Sequence, residues 1–258
     1  MGLMRTINGS TRLRRFAVVV GLLAATVPAQ AQAQDDLHDR GMALYDQNCA
    51  LCHDATGLGD PPTFPALSGN PIVADLGRVV ANIHEGRGNM PAFPTLETGD
   101  IAALATYLRG AWENNYPAAD PDEVATILDS LGGTAEAVSI WDGVYTQEQA
   151  ERGAAAYLGP CGLCHGRMLN GAPDDPDMRP APALSRYRFI RVWDGRSLAT
   201  LYEYTRSTMP QSNPGYMDDQ TYVDIIALML ERSGAPAGDA ELVPDVGTLS
   251  RIVIEPRE

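Results

Sequence analysis

Two motifs with the same spacing of cysteine and histidine carry the chemistry of this chain. The first is Cys49-x-x-Cys52-His53, and the second is Cys161-x-x-Cys164-His165. Two thiols at this spacing can each form a thioether with one vinyl group of a porphyrin, and the histidine that follows is placed to bind the iron. Cys-x-x-Cys-His is therefore typical of c-type haem attachment. The sequence predicts two covalently bound c-type haems, with His53 and His165 as iron ligands.

A zinc site is the main alternative use of these cysteines. The two motifs contain all four cysteines of the chain, and a four-cysteine zinc site would bring both pairs together. Each pair is instead followed directly by a histidine and lies in its own copy of a repeat, which favours haem. A thioredoxin-like redox pair would need a βαβ context that the chain does not indicate.

The N-terminus has the layout of an export signal. Its basic residues are Arg5, Arg12, Arg14 and Arg15, and an apolar run follows over residues 16–27. Cleavage sites of the A-x-A type end at Ala31 and Ala33. The apolar run is too short to span a bilayer comfortably, although a retained N-terminal anchor is the alternative. We predict a signal peptide over residues 1–33 and a periplasmic mature chain without a membrane span.

The charge balance narrows the class of partner. The chain carries 33 acidic residues against 19 basic ones, all of them arginine, for a formal net charge of −14. The predicted signal peptide contains four of the arginines and no acid, so the mature chain is more acidic still. Such a surface repels nucleic acid and anionic membranes. It favours a redox partner with a basic docking face, although an acidic surface also serves solubility alone.

The residues around the two motifs form an internal repeat. Gly41 and Gly153 each stand eight residues before the first cysteine of their motif, and Tyr45 and Tyr157 each stand four before it. Both motifs are followed by the tetrapeptide Pro-Ala-Leu-Ser and later by a loop that contains Met-Pro. A repeat of this kind indicates two copies of one structural unit.

Each copy ends in a predicted amphipathic helix. Apolar residues recur at i, i+3, i+4 and i+7 over residues 101–108 and 223–230. The predicted N-caps are Thr98 and Asp218, and the predicted stop signals are Gly110 and Gly234.

Two segments do not repeat. The first is a predicted linker over residues 113–145, with one short helix near residues 123–131. The second is a tail over residues 236–258, in which residues 249–254 form either a short strand or an extended segment.

The Met-Pro loops supply the candidate distal ligands, Met90 and Met209. A thioether ligand favours the reduced state of haem iron and raises its potential. The alternatives are Met42 and His84 in the first copy and Met168, Met178 and Met217 in the second. Met42 lies within a predicted helix, where a methionine is more often part of the core. A lone histidine such as His84 is more often an exposed residue or a structural hydrogen-bond donor.

The order of these features resembles that of class I c-type cytochromes over residues 36–112 and 146–235. The family has a first helix with glycine and an aromatic, then Cys-x-x-Cys-His, a loop, Met-Pro and a last helix. The resemblance implies an all-α fold of two tandem cytochrome c domains joined by the linker, with an irregular C-terminal tail. In the family an aromatic on the last helix packs against the glycine of the first. Tyr107 matches this aromatic, and Met229 in the second copy departs from it.

The second copy has a narrower resemblance. Residues 209–215 read Met-Pro-Gln-Ser-Asn-Pro-Gly, residues 222–227 read Tyr-Val-Asp-Ile-Ile-Ala, and residues 234–238 read Gly-Ala-Pro-Ala-Gly. These segments are similar to the cytochrome c subunits that serve quinoprotein (PQQ-dependent) alcohol dehydrogenases. The resemblance implies an electron carrier, not itself an enzyme, between a periplasmic dehydrogenase and a terminal oxidase or another cytochrome. The alternative is a di-haem peroxidase, which would need one haem with an open distal position.

Overall fold

The computed structural model describes residues 1–2, 29–171 and 181–257, with side chains in the first helix from residue 34 onward. Most of the predicted signal peptide and the alternative ligand Met178 lie outside the described residues. Within the described ranges, no helix is both long and apolar enough to cross a bilayer.

The N-terminal half, residues 29–137, is helical. Its α-helices are Ala29–Asn48 (α1), Ala50–His53 (α2), Leu76–Glu85 (α3), Thr98–Gly110 (α4) and Pro121–Ser130 (α5), with a 3-10 turn at Pro71–Ala74. The carboxylates of Asp75 and Asp120 begin α3 and α5 because they accept hydrogen bonds from backbone N–H groups of the first turn. Helix α5 confirms the short helix predicted in the linker.

The C-terminal half, residues 138–257 where described, is also mainly helical. Its elements are Val138–Ser139 (β1), Gln147–Tyr157 (α6), Gly162–His165 (α7), Arg186–Trp193 (α8), Leu198–Thr208 (α9), Asp219–Ser233 (α10), Val246–Leu249 (α11) and Ile252–Val253 (β2), with a 3-10 turn at Ile140–Asp142. Strands β1 and β2 pair in parallel, with Val138 opposite Ile252. Of the two alternatives for the tail segment, the structure shows the short strand, and its pairing ties the tail to the linker. The predicted helical character of the fold is confirmed as well.

The helix boundaries follow the sequence signals in the second copy of the repeat. The Asp218 carboxylate accepts a hydrogen bond of 2.9 Å from the Thr221 N–H, and Gly234 ends α10 in the left-handed region with φ 93°. Both predicted boundaries of α10 are therefore confirmed.

The corresponding predictions for α4 were each wrong by one residue. Thr98 is already the first helical residue, and Glu97 precedes the helix without a side-chain cap. Gly110 stays within the helix because the Ala111 N–H still donates to the Tyr107 carbonyl at 2.8 Å. Residue type thus located the ends of α4 only to within one residue, because a glycine that keeps helical dihedrals does not end a helix.

Each half contains its own cluster of buried apolar side chains. The first cluster draws on α1, α3, α4 and α5, including Val124 and Leu128 of the linker helix. The second cluster draws on α6, α8, α9 and α10, and it includes Leu242, Leu249 and Ile254 of the tail. The linker helix therefore packs on the first cluster and the tail on the second.

A glycine allows close packing of the first and last helices in both copies. An added Cβ on Gly41 would overlap the Ala103 carbonyl oxygen and lie 2.8 Å from the Tyr107 Cβ. This confirms the predicted contact between Tyr107 and the glycine of the first helix. Gly153 meets the Asp224 carbonyl in the same way, one position earlier in the aligned repeat than Ala103. The two helix crossings are thus similar but not identical, as the departure at Met229 indicated.

We expect Gly41→Ala to lower the free energy of unfolding by about 3 kcal/mol, because the new methyl group forces α1 and α4 apart. Denaturant unfolding of the purified full chain, followed by circular dichroism, measures the change. Gly110→Ala is the matched control in α4, since nothing lies within 4 Å of its added Cβ. It should raise stability by about 0.5 kcal/mol. Equal effects at the two positions would contradict the packing argument.

Candidate haem site

A cavity of about 370 Å³ lies beside the first motif. Its wall brings together four of the predicted site residues: Cys49, Cys52, His53 and Met90. Most of the remaining lining is apolar and includes Phe64, Leu67, Val79, Ile83, Phe93 and Leu108. Thiols, an imidazole and a thioether around an apolar space are the donor set that a c-type haem needs, so these residues fit this group.

The orientation of His53 is fixed by one hydrogen bond. Its Nδ1 lies 2.8 Å from the carbonyl oxygen of Pro65. Because a carbonyl can only accept, Nδ1 carries the proton and the lone pair is on Nε2. Burial lowers the pKa of His53, while the bond to Pro65 acts in the opposite direction. Burial is the larger effect, so the imidazole is neutral at neutral pH and its Nε2 is available to bind a metal.

Cys49 directly precedes α2, and Cys52 lies within this helix. Burial raises the pKa of Cys49 to about 12, and the neighbouring Cys52 adds to this shift. Burial likewise raises the pKa of Cys52 to about 11. Both side chains therefore stay protonated at neutral pH, as expected of cysteines in apolar surroundings. Both thiols are therefore available for thioether formation.

Met90 reaches the cavity from a tight turn after α3. The backbone groups of Arg87 and Met90 exchange two hydrogen bonds of 3.0 Å. Gly86 starts the turn at φ 73°, and an added Cβ there would lie 2.6 Å from the Met90 carbonyl oxygen. Glycine is therefore required at this position, because the turn combines a left-handed dihedral with a close backbone approach.

The alternative ligands of the first copy are placed differently from what the sequence indicated. Met42 is 44% exposed and is not a core residue, because α1 turns Gly41 and Tyr45 inward instead. His84 is buried at 6% exposure and is not a surface residue. Its Nδ1 has no hydrogen-bond partner, and His84 does not line the cavity. Met90 is the only one of the three candidates on the cavity wall.

The second motif repeats the local geometry of the first. His165 Nδ1 lies 2.8 Å from the carbonyl oxygen of Pro182, as His53 does from Pro65. The Tyr157 hydroxyl donates to the Gly166 carbonyl at 2.9 Å, and the Tyr45 hydroxyl donates to the Asp54 carbonyl at 2.6 Å. In each copy, the tyrosine before the motif thus supports the backbone directly after its histidine.

The other predicted residues of the second site are Cys161, Cys164 and Met209. Cys161 packs against the second cluster, and burial raises its pKa to about 11. Cys164 is a free, half-buried thiol. Met209 directly follows α9, and its carbonyl accepts a hydrogen bond of 2.9 Å from the Tyr222 hydroxyl. Of the described alternatives, Met168 is 65% exposed and Met217 packs against the second cluster. The assignment of Met209 stays a prediction.

One wall of the first cavity could not be inferred from the sequence. It is formed by Thr200, Glu203 and Tyr204, which lie on α9 of the C-terminal half. Burial raises the pKa of Glu203, and its ion pair with Arg206 opposes that shift. These residues belong to the other copy of the repeat, and no local pattern assigns them to the first motif.

The zinc alternative is not supported by the described coordinates. Within the ranges 29–171 and 181–257, His, Cys, Asp and Glu side chains do not gather in groups of three or more that could hold a metal ion. The two cysteine pairs stay apart, each beside its own histidine.

The comparisons with known proteins agree with this chemistry. Residues 36–108 match the family model described as "Cytochrome C oxidase, cbb3-type, subunit III". The chain is also 34% identical over 91 residues to the cytochrome c subunit of the quinone alcohol dehydrogenase of Gluconobacter oxydans (strain 621H). That match covers 30% of this chain and 19% of the relative, so the chain spans about a fifth of the relative's length.

The matched residues 36–108 contain the first motif and Met90, so the first half carries a segment similar to cytochrome c domains. The predicted resemblance to c-type cytochromes is confirmed. The resemblance of the chain to a dehydrogenase cytochrome c subunit is confirmed as well. A cytochrome c domain implies covalently bound c-type haem and a role in electron transfer, and the similarities support both.

Asn114 holds the loop that follows the first motif against α4. Its buried side-chain amide donates to the carbonyls of Leu67, at 3.0 Å, and Leu108, at 2.8 Å. Its carbonyl oxygen accepts from the Gly69 N–H at 3.0 Å. Since Leu67 and Leu108 both line the cavity, this one side chain fixes the distance between two parts of its wall.

We expect Asn114→Ala to lower the free energy of unfolding by about 2 kcal/mol, because it leaves buried backbone groups without partners. The adjacent, exposed Asn115 provides the matched control, and Asn115→Ala should change stability by less than about 0.5 kcal/mol. Thermal or denaturant unfolding compares the two variants. Similar stabilities of both variants would rule out this role of Asn114.

Proposed function

We propose that the protein is a periplasmic di-haem cytochrome c that transfers electrons and catalyses no substrate chemistry of its own. The single observation that carries this proposal is the cavity that joins Cys49, Cys52, His53 and Met90. The proposed organisation is a signal peptide over residues 1–33, cytochrome c domains over 36–112 and 146–235, a linker over 113–145 and a tail over 236–258.

The first domain would hold its haem through four side chains. Cys49 and Cys52 would form the thioethers, while His53 Nε2 and Met90 Sδ would bind the iron. A bound c-type haem supplies reversible one-electron redox chemistry. The protein orients His53 through Pro65, presents Met90 from the turn after α3 and surrounds the site with apolar side chains that limit the access of water.

The second domain would use Cys161, Cys164, His165 and Met209 in the same roles. The support is the repeated geometry around His165, in which both the Pro182 carbonyl and the Tyr157 hydroxyl reproduce contacts of the first copy. Two sites with histidine and methionine ligands leave no open iron position for a substrate, which favours a carrier over a peroxidase.

The proposed electron donor is a periplasmic quinoprotein alcohol dehydrogenase or a related enzyme. The support is the similarity to a cytochrome c subunit of a quinone alcohol dehydrogenase. A terminal oxidase or another cytochrome would take the electrons onward. The acidic chain, with its formal net charge of −14, favours partners with basic docking faces.

The ligand assignment is tested with Met90→Ala and Met209→Ala in the full chain, matured in a host that attaches c-type haem. The unmodified protein should carry two haems and show the weak red-edge band of sulfur-ligated haem iron. Each variant should lose half of that band and lower the potential of one haem only, because a thioether ligand favours the reduced state. Haem content, visible spectra and potentiometric titration measure these effects.

The exposed Met42 provides the control, and Met42→Ala should leave both potentials and the band unchanged. Loss at both haems in either single variant would contradict independent sites. A chain purified without covalent haem would overturn the proposed function. A high-spin haem that turns over peroxide in the unmodified protein would indicate the peroxidase instead.

We also expect electron transfer from the donor enzyme to slow as salt is added. The rate of cytochrome reduction by a purified quinone alcohol dehydrogenase should fall roughly tenfold between about 0.01 and 0.15 M ionic strength, because salt screens long-range attraction. Reduction by a neutral small molecule is the control and should not change. If the rate with the enzyme does not change with ionic strength, charge does not drive docking.

A further inference from the structure

The first cavity is closed by the other half of the chain. Thr200, Glu203 and Tyr204 stand at positions i, i+3 and i+4 on one face of α9, and all three line the space beside Cys49 to His53. The Tyr204 ring also packs edge-on against Trp193, with ring centroids 5.9 Å apart. This wall is therefore anchored in the second cluster, to which Trp193 belongs.

Further contacts hold the two halves together around the first motif. Leu51, inside the motif, packs against the second cluster. The Gln47 side chain donates to the Asp194 carbonyl at 3.3 Å, and the Arg196 guanidinium donates to the Gln47 carbonyl. An added Cβ on Gly195 would overlap the Gln47 amide. The C-terminal half thus fits closely over the start of the first motif.

One charged pair extends from this wall to the loop of the distal ligand. The Glu203 side chain is only 6% exposed and lies 2.9 Å from a guanidinium nitrogen of Arg206. The same nitrogen donates to the side-chain oxygen of Asn89 at 3.2 Å. Asn89 precedes Met90 directly and also lines the cavity. A buried carboxylate, an arginine and the Met90 loop are therefore connected across the boundary between the halves.

We propose that α9 of the C-terminal half completes the first haem site, and that the Glu203 carboxylate on this wall lowers the reduction potential of the first haem. This inference rests on the proposed function. A negative charge in a poorly solvated cavity stabilises the oxidised, more positive state of a redox centre more than the reduced state. Arg206 holds the carboxylate in place and offsets part of its charge, so loss of the carboxylate also leaves a positive charge near the site.

The test is a potentiometric titration of the full, haem-loaded chain in buffer well above the ordinary pKa range of a carboxyl group. Glu203→Gln should shift the potential of the first haem upward and leave the second haem unchanged. The first haem is the one whose potential moves in Met90→Ala. Glu203→Asp retains the charge and should keep the potential near that of the unmodified protein, which separates an electrostatic role from a merely structural one.

Glu241→Gln is the matched control, because Glu241 also pairs with an arginine of the C-terminal half, Arg152, at 2.9 Å but does not line the cavity. It should shift neither potential. An unchanged or lowered first potential in Glu203→Gln, or an equal shift in Glu203→Asp, would overturn the inference while the haem content and spectrum still support a cytochrome. A chain without covalent haem would instead mark the failure of the proposed function.

Discussion

The hydrogen bond from His53 to the Pro65 carbonyl is the contact on which the first site depends. At 2.8 Å it assigns the proton to Nδ1 and leaves Nε2 as the atom that can bind iron. The loop that carries Pro65 is fixed in turn, since the Leu67 N–H donates to the Gly57 carbonyl at 2.7 Å and Asn114 joins this loop to α4. The orientation of His53 is therefore set by hydrogen bonds within the protein itself.

The volume of the site links folding to cofactor attachment. Much of the cavity wall is apolar, so a group that fills this space would bury that wall and become part of the core. We expect a chain without that group to be less stable around the first motif.

The sequence predicts well what is local or repeated, and less well what two distant segments form together. The motifs, the Met-Pro turn, the helix caps at Asp218 and Gly234 and the linker helix all follow from short-range chemistry, and the structure shows these elements where they were expected. The exposure of Met42 and the burial of His84 were misjudged, because a residue type alone does not tell which face of a helix is covered. The wall formed by α9 was not predicted either, because it depends on how the two halves pack together.

Equivalent positions of the two copies have different surroundings in the structure. Leu51 and Leu163 occupy the same place in their motifs, yet Leu51 packs against the second cluster and Leu163 is 62% exposed. The helix crossings differ as well, because Asp224 binds both Arg152 and Gln149, while Gln149 also binds Leu242 of the tail. At this position the first motif is covered by the C-terminal half, whereas the second motif is exposed. If both motifs hold the proposed haems, the two sites differ in their surroundings and should differ in potential even with the same set of ligands.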